Sequence, residues 1–467
     1  MPRLMICLTF LGANVVGALL MASGPLSPGE TTARLKTLAG ISVELFAAEP
    51  QITNPTNIDV DEQGRLWVCD VQNYRGNQGT RPEGDRILIL EDVDRDGRAD
   101  VVKTFYQGTD VDSALGICVL PGPVRRVLVS CSPNVWLFTD RDGDDLPDAK
   151  VALFTRSGRP QHDHCVHAFV FGPDGRFYWN TGNEHDGIHD ARGEVVVDRF
   201  GRPVLPAGKP YRQGMAFRSQ LDGSQFDVLA HNQRNSYELT VDSFGRVWFS
   251  DNDDDGNRGT RISLVLEGGN NGYTDELTGR SWRAGRRTNQ SDDVSRRHWH
   301  QNDPGAVPNV ALLGNGSPSG IVIYEGQSLA TLRGQLIHCE PGRNLVRQVR
   351  LAADGAGYQA DIEPLIDGQD DPWFRPVDAA VGPDGAIYVA DWYDPGVGGH
   401  RQADVEHGRI YRLQADDALR QDAKLHGRDA AQTMSAQQAI DALGSGCHAV
   451  RYLAWQRLAV LGTQADP

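Results

Sequence analysis

Ile58-Asp-Val-Asp-Glu-Gln-Gly64-Arg-Leu-Trp-Val-Cys-Asp70 is the stretch on which the fold turns. A short apolar run meets an acidic turn closed by glycine, and an aromatic, β-branched run follows and ends on a polar residue. The phrase returns as Phe169-Val-Phe-Gly-Pro-Asp-Gly175-Arg-Phe-Tyr-Trp-Asn180, as Leu239-Thr-Val-Asp-Ser-Phe-Gly245-Arg-Val-Trp-Phe-Ser-Asp251, and as Ala379-Ala-Val-Gly-Pro-Asp-Gly385-Ala-Ile-Tyr-Val-Ala-Asp391. Degenerate copies lie at Gly116–Ser132 and Ile321–His338. Glycine supplies the positive φ of a tight hairpin turn, and its flanks are strand formers. Repetition at a fixed period marks a repeat architecture. Six hairpins over about 370 residues leave roughly 60 for each, enough for a four-stranded blade with one long loop. The expected fold is all-β, a six-bladed β-propeller over residues 42–413, followed over 430–467 by a short α-helical segment. In that segment Ser435-Ala-Gln-Gln438 reads as a capping box, and Val450, Leu453, Ala454, Leu458 and Leu461 recur at helical spacing. This is the pattern of the start of a HEAT-like repeat, and one repeat cannot bury its own face. A continuation past Pro467 is therefore expected.

With 39% hydrophobic and 23% charged residues and 52 glycines among 467, the chain is a folded, turn-rich one. Its formal net charge of −16 argues against nucleic acid, whose phosphates need clustered Lys and Arg. Residues 1–24 read as a signal peptide: Met1-Pro-Arg3 is basic, Leu4–Met21 apolar, and Ala22-Ser23-Gly24 a small-residue cleavage site. The expected location is exported, periplasmic or cell-surface, with membrane attachment only through an uncleaved leader. Cys118 and Cys131 lie in adjacent strand-like runs and make either a disulfide or two buried thiols. There is no Cys-x-x-Cys-His, so the chain attaches no c-type haem itself.

Several polar constellations sit just before repeat strands, where a propeller places loops at the mouth of its channel. Gln161-His-Asp-His-Cys-Val-His167 packs three histidines and an aspartate into seven residues, enough for a general base, His164, with Asp163 as its partner. Gln233-Arg-Asn-Ser236 occupies the same slot one blade on, and Arg234 and Asn235 there suit carboxylate or quinone oxygens. Glu340-Pro-Gly-Arg343 and Trp373-Phe-Arg375 repeat the placement, making Arg343 and Arg375 further anion ligands. The acidic run Asp251, Asp253, Asp254 and Asp255 is a candidate Ca²⁺ site, as is Asp92-x-Asp94-x-Asp96-Gly97-x-x-Asp100, with oxygens at every second position. Asp140-x-Asp142-Gly143-Asp144-Asp145 is a weaker version, and His185-Asp-Gly-Ile-His189-Asp a looser acidic loop.

Two families resemble the chain on these residues. Asp163-His164 with the following Gly172-Pro-Asp, Arg234-Asn235 with the acidic run and Gly268-Gly-Asn-Asn-Gly-Tyr273, and Trp373-Phe-Arg375 with Gly382-Pro-Asp-Gly385 are similar in order to soluble quinoprotein glucose and sorbosone dehydrogenases. That resemblance implies pyrroloquinoline quinone held over Ca²⁺, with His164 taking a proton from a sugar hydroxyl as hydride passes to the quinone. It assigns Arg234, Asn235, Arg343 and Arg375 to the cofactor and Asp251, Asp253 and Asp254 to the metal. The chain departs from that pattern at Trp373, where the family has arginine, at Gly342-Arg343, where it has a lysine, and in the carboxylates of the metal loop. Over more of its length the chain resembles the membrane-bound-dehydrogenase propellers of planctomycete and verrucomicrobial bacteria. The phrases that carry this are Gly116-Ile-Cys-Val, Cys131-Ser-Pro-Asn-Val-Trp, His298-Trp-His-Gln-Asn-Asp-Pro-Gly305, Asp391-Trp-Tyr and His407-Gly-Arg-Ile-Tyr-Arg-Leu413. The leading expectation is an exported dehydrogenase oxidising a sugar or other alcohol and passing electrons to a cytochrome c partner or domain. The alternatives are a carbohydrate- or protein-binding propeller without catalysis and a Ca²⁺-dependent lactonase-like hydrolase.

Overall fold

Each turn glycine of the repeated phrase adopts the conformation its position demands: Gly64, Gly175, Gly245 and Gly385 have φ between 76° and 80°. Each closes a turn in which its N–H donates to the carbonyl three residues earlier, Asp61, Gly172, Asp242 and Gly382 respectively. The aromatic three residues later, Trp67, Tyr178, Trp248 or Tyr388, is then buried against the next blade.

The computed structural model describes residues 24–161, 163–254, 258–281, 292–301, 303, 305–399, 401–416 and 430–462. The leader up to Ser23, His162, Asp255 and residues 463–467 lie outside these. The strands form six antiparallel sheets of four principal strands each. Numbered by innermost strand, blade 1 starts at Pro55–Val60, blade 2 at Gly116–Leu120, blade 3 at Val166–Phe171, blade 4 at Leu239–Val241, blade 5 at Ile321–Tyr324 and blade 6 at Pro376–Val381. Consecutive innermost strands are neighbours, and blade 6 returns against blade 1, so the fold is a closed six-bladed propeller. The ring is locked by the N-terminal strand Ile41–Ala48, which supplies the outermost strand of blade 6 by pairing with Arg409–Ala415. Cys118 and Cys131 are free, buried thiols: across the hairpin Cys118 faces Leu128 and Cys131 faces Asn134, so the register sets the two sulfurs apart.

A ring of innermost strands leaves a row of inward N–H groups without a sheet partner, and buried N–H groups need acceptors. Polar side chains of the inner strands supply them. Asn57 Oδ1 accepts from Ile117 N at 2.7 Å and Asp59 Oδ2 from Val119 N at 2.7 Å, joining blade 1 to blade 2. Asp378 Oδ2 accepts from Ile58 N and Asn57 Nδ2, joining blade 6 to blade 1. Glu238 Oε2 and Thr240 Oγ1 accept from Ile321 N and Ile323 N, joining blade 4 to blade 5. Burial drives the carboxyls of Asp59, Asp378 and Glu238 to high pKa, Glu238 furthest. Glu238 therefore holds a proton and hydrogen-bonds Asp378 across the channel.

At the rear of the channel sits the C-terminal helix His448–Leu461. Ser445 Oγ donates to Pro383 O, Arg451 pairs with Glu325, and Tyr452 packs edge-on against Phe171. A cavity of about 100 Å³ between the inner-strand ends and Cys447, His448 and Arg451 is what remains of the rear opening. Among the described residues no helix is long and apolar enough to cross a membrane.

Because glutamine reproduces a protonated glutamate, donating from Nε2 and accepting at Oε1, Glu238→Gln is expected to fold as the parent does. Glu238→Ala, which orphans Ile321 N and Asp378, should lose about 1–3 kcal/mol or more. The folded-state pKa of Glu238 lies above its unfolded value, so its contribution is full at low pH and is lost as pH rises through the folded pKa. Thermal unfolding followed from about pH 5 to about pH 9 should show Glu238→Gln gaining on the parent as pH rises.

Candidate active site

Loops entering the six innermost strands converge at the front mouth, where a cavity of about 250 Å³ takes lining residues from every blade: Thr56, Leu115, His164, Asn235, Ser317 and Arg375 among them. A second set of loops, those leaving the second strand of a blade, completes the wall with Tyr74, Asn252, Trp392, Asp394 and Gln402.

His164 is held by its own main chain, whose carbonyl accepts from Glu184 N at 2.9 Å. Its Nδ1 lies 2.7 Å from Asn183 Oδ1. With that oxygen as acceptor, the proton sits on Nδ1 and Nε2 is the basic nitrogen of a ring that lines the cavity. Burial, then the positive charge of Arg234, lowers its pKa, so the imidazole is neutral and basic at pH 7. Asp163 also lines the cavity, but its carboxylate is ion-paired with Arg75 of blade 1. His167 is a strut rather than a base, because its two nitrogens meet the carbonyls of Ser236 and Asp163.

The cations expected to hold an anionic cofactor are spent elsewhere. Arg234 is buried and bonds Asp254 at 2.8 Å, an acid that also accepts from the Tyr273 hydroxyl. Arg375 reaches the cavity wall, but its guanidinium donates to the carbonyls of Gly396, Pro341, Phe374 and Pro395. Arg343 is exposed: it ends the 3₁₀ turn Pro341–Arg343, and left-handed Asn344 follows, so only the Pro341 end of this turn lines the cavity. Asn235 does line it.

Asp251, Asp253 and Asp254 are not gathered about one point. Asp251 is buried at the end of the second strand of blade 4, accepting from Arg234 N and Asn235 N and pairing with Arg261 at 2.8 Å. Asp253 accepts from Gly259 N. The Asp251 slot repeats around the ring. Asp70 accepts from Thr53 N and Asn54 N, and Asp391 from Arg375 N, each tying down the loop that enters its own blade. Asp70, Asp251 and Asp391 thus anchor entering loops, while Asp253 and Asp254 are bonded to Gly259 N and to Arg234. Asp92, Asp94 and Asp96 do cluster, with carboxylate oxygens within 4.8 Å of one another, but on the opposite face, in the turn between the outer strands of blade 1. There Asp92, Asp94 and Asp96 each accept a backbone N–H of the turn.

The six-bladed fold is shared with several solved propellers. Solved structures sharing the fold include an oxidoreductase described as a glucose dehydrogenase from Thermus thermophilus (TM-score 0.53, 18% identity, 80% of this chain and 100% of that one). The holo PQQ domain of pyranose dehydrogenase from Coprinopsis cinerea is another (TM-score 0.55, 14%, 81% and 97%). A third is the PQQ-bound aldose sugar dehydrogenase of Streptomyces coelicolor (TM-score 0.53, 16%, 82% and 100%). A family profile described as a domain of unknown function, DUF7133, matches residues 27–417, and the chain belongs to that family. No curated protein matches its sequence.

Pyrroloquinoline quinone carries three carboxylates, and the described residues do not fit it. Arg375, the one Arg or Lys lining the cavity among the described residues, spends four N–H donors on carbonyls, Arg234 and Arg75 are paired with carboxylates, and Asp163 and Asp394 add negative charge at the wall. The wall also offers neutral side chains. Asn235 Oδ1, Trp392 Nε1 and Gln402 Nε2 are buried without a hydrogen-bond partner among the described residues. Removing one partner of a buried ion pair costs about 3–5 kcal/mol. Asp251→Ala should therefore lower the denaturation midpoint by an amount that is the same in chelator as in excess Ca²⁺, as measured by chemical unfolding in both buffers.

Proposed function

We propose that the channel mouth binds a neutral polyhydroxylated molecule, a sugar or another alcohol, and that His164 is the base that takes a proton from one of its hydroxyls. The observation that carries this is the lining itself, which brings His164, Asn235, Trp392 and Gln402 to one recess beside Tyr74. A hydroxyl both donates and accepts, so it satisfies a donor or an acceptor there, whereas an anion would leave Asn235 Oδ1 unpaired. Tyr74 and Trp392, with ring centroids 5.9 Å apart, add an aromatic wall suited to the apolar face of a sugar ring. Proton removal by His164 is half of alcohol oxidation, the chemistry after which the sugar-dehydrogenase neighbours are named. The hydride from the carbon bearing that hydroxyl would pass to a bound two-electron acceptor of the quinone or flavin class, and the committed cations argue against a tricarboxylate quinone in that role. An exported location and a cytochrome c electron partner belong to the same proposal. Ligand binding without turnover is the second reading, and the ion-paired state of Arg234 and Arg75 favours it.

Titrating the protein with monosaccharides and polyols, with Trp392 fluorescence as the signal, should give saturable binding. Asn235→Ala should weaken it by about 1–3 kcal/mol. A dye-linked oxidation assay decides between the readings. Turnover lost on His164→Gln with binding retained supports the base. Its rate should hold flat below the ordinary histidine pKa of about 6.5 before falling, since His164 stays unprotonated there. Absence of turnover with intact binding leaves the binding propeller. Saturable, Ca²⁺-dependent uptake of pyrroloquinoline quinone that weakens on Arg234→Ala would overturn the exclusion of the quinone.

A further inference from the structure

Between strands Thr260–Val265 and Asn309–Gly314, blade 4 makes an excursion that packs beside the mouth. Its two legs press together so closely that a Cβ on Gly272 (φ 73°) would lie 2.3 Å from Trp299 O. The first leg carries Asp275 and the second His300 and Asp303, all three buried. One ligand atom from each lies within 4.8 Å of the others, and His300 Nδ1 is 4.0 Å from Asp303 Oδ2.

Two features separate this cluster from a chance meeting of acids. The His300 side chain is only 3% exposed, and neither of its ring nitrogens has a hydrogen-bond partner among the described residues; buried Asp303 Oδ1 likewise has none. Orphaned buried nitrogens cost about 1–3 kcal/mol each, so a native site supplies a partner. The carboxylates are also already oriented. Asp275 Oδ1 accepts from Leu277 N, Thr278 N and the Thr278 hydroxyl, and Asp303 Oδ2 accepts from Glu276 N. Arg212 gives its donors to the carbonyls of Asp275 and Gly208 and to Glu276.

We propose that Asp275, His300 and Asp303 bind a divalent transition-metal cation of the Zn²⁺ type, which pins the two legs of the blade 4 excursion to each other. One imidazole with two carboxylates suits Zn²⁺ and its neighbours, whereas Ca²⁺ and Mg²⁺ take oxygen ligands. Metal–ligand bonds of about 2.0–2.2 Å at tetrahedral angles set two ligand atoms about 3.3–3.6 Å apart, so the pair now at 4.0 Å closes by roughly half an ångström on binding. No separation within the cluster, all of them under 4.8 Å, needs to close by more than roughly 1.3 Å. From His300 the contacts run to the mouth: Trp299 lies against the Arg261 guanidinium, 3.6 Å from its ring centre, Arg261 pairs with Asp251, and Asp251 holds the backbone of Arg234 and Asn235. The ion thus acts on the cavity by position, and the proposal stands whether or not the cavity takes a sugar.

The test uses the full-length protein, stripped with chelator, dialysed and titrated with Zn²⁺, with bound metal measured by elemental analysis and unfolding followed with and without the metal. The parent should retain one equivalent through dialysis and unfold at a higher temperature when loaded. His300→Ala and the near-isosteric Asp303→Asn should each weaken Zn²⁺ binding by at least about 10-fold, since losing even an outer-shell partner costs that much. Either variant that folds suffices for the comparison. Failure of the parent to hold stoichiometric Zn²⁺, or its undiminished retention in a folded variant, overturns the site.

Discussion

The hydrogen bonds that cross from one innermost strand to the next set everything else in this molecule. A closed ring of six sheets splays at its centre, and main-chain pairing cannot reach between blades there. Asn57, Asp59, Glu238, Thr240 and Asp378 bridge that gap with side-chain acceptors. Their position follows from strand alternation: residues 57 and 59 face one way and 58 and 60 the other. The apolar set then packs between blades while the polar set lines the channel. The same alternation makes the ring's interior acidic, which burial converts into neutral or shared-proton carboxyls rather than a field of charge.

That economy extends to the mouth, where acidic residues tie loops down and arginines answer the acids. Asp70, Asp251 and Asp391 occupy one slot in three blades and each anchors the loop that enters the first strand of its own blade. Arg261, Arg81 and Arg86 pair with them, and Arg234 and Arg75 with the acids of the next tier. Each arginine fixed in this way is withdrawn from ligand binding. The wall left facing the cavity combines amide, indole, hydroxyl and imidazole groups with Asp163, Asp394 and Arg375, whose charges are largely engaged, a surface that recognises by hydrogen bonding and shape.

The repeated phrase made the propeller readable because turn glycine, buried aromatic and terminal polar residue each answer a local demand. The glycines stand at one φ, and the aromatics at one depth. His164 and Asn235 were readable for a related reason, since a residue just before an inner strand must face the mouth. Arg375 satisfied the same rule and reached the cavity, but no pattern in the chain announces the four carbonyls that take its donors. Asp251 carried its own contrary signal: it ends the phrase where Asp70 and Asp391 do, and a residue shared by three blades answers the fold before it answers a ligand. The other half of the site, Tyr74, Trp392 and Gln402, lies on loops that leave second strands. In an antiparallel blade those loops return to the same face, so Asp391-Trp-Tyr pointed to the cavity as directly as Asp163-His164 did. Asp275 and Asp303 stand 28 positions apart in the chain, and only the packing of the two legs brings them together with His300.

The two ends of the channel give the mouth its chemical character. At the rear, the helix His448–Leu461 seats on the inner-strand ends, and the Glu238–Asp378 pair lies between that seat and the front cavity. A channel stoppered in this way places His164 and Asn235 at the floor of a blind recess. Buried groups there meet a lower effective dielectric than surface groups do, which strengthens each hydrogen bond made to a ligand and raises the cost of each one left unmade. Discrimination in such a recess rests on matching donors to acceptors. A polyol bound as proposed would have to match Asn235, Trp392 and Gln402 together, and an epimer that misplaces one hydroxyl would leave a group unpaired.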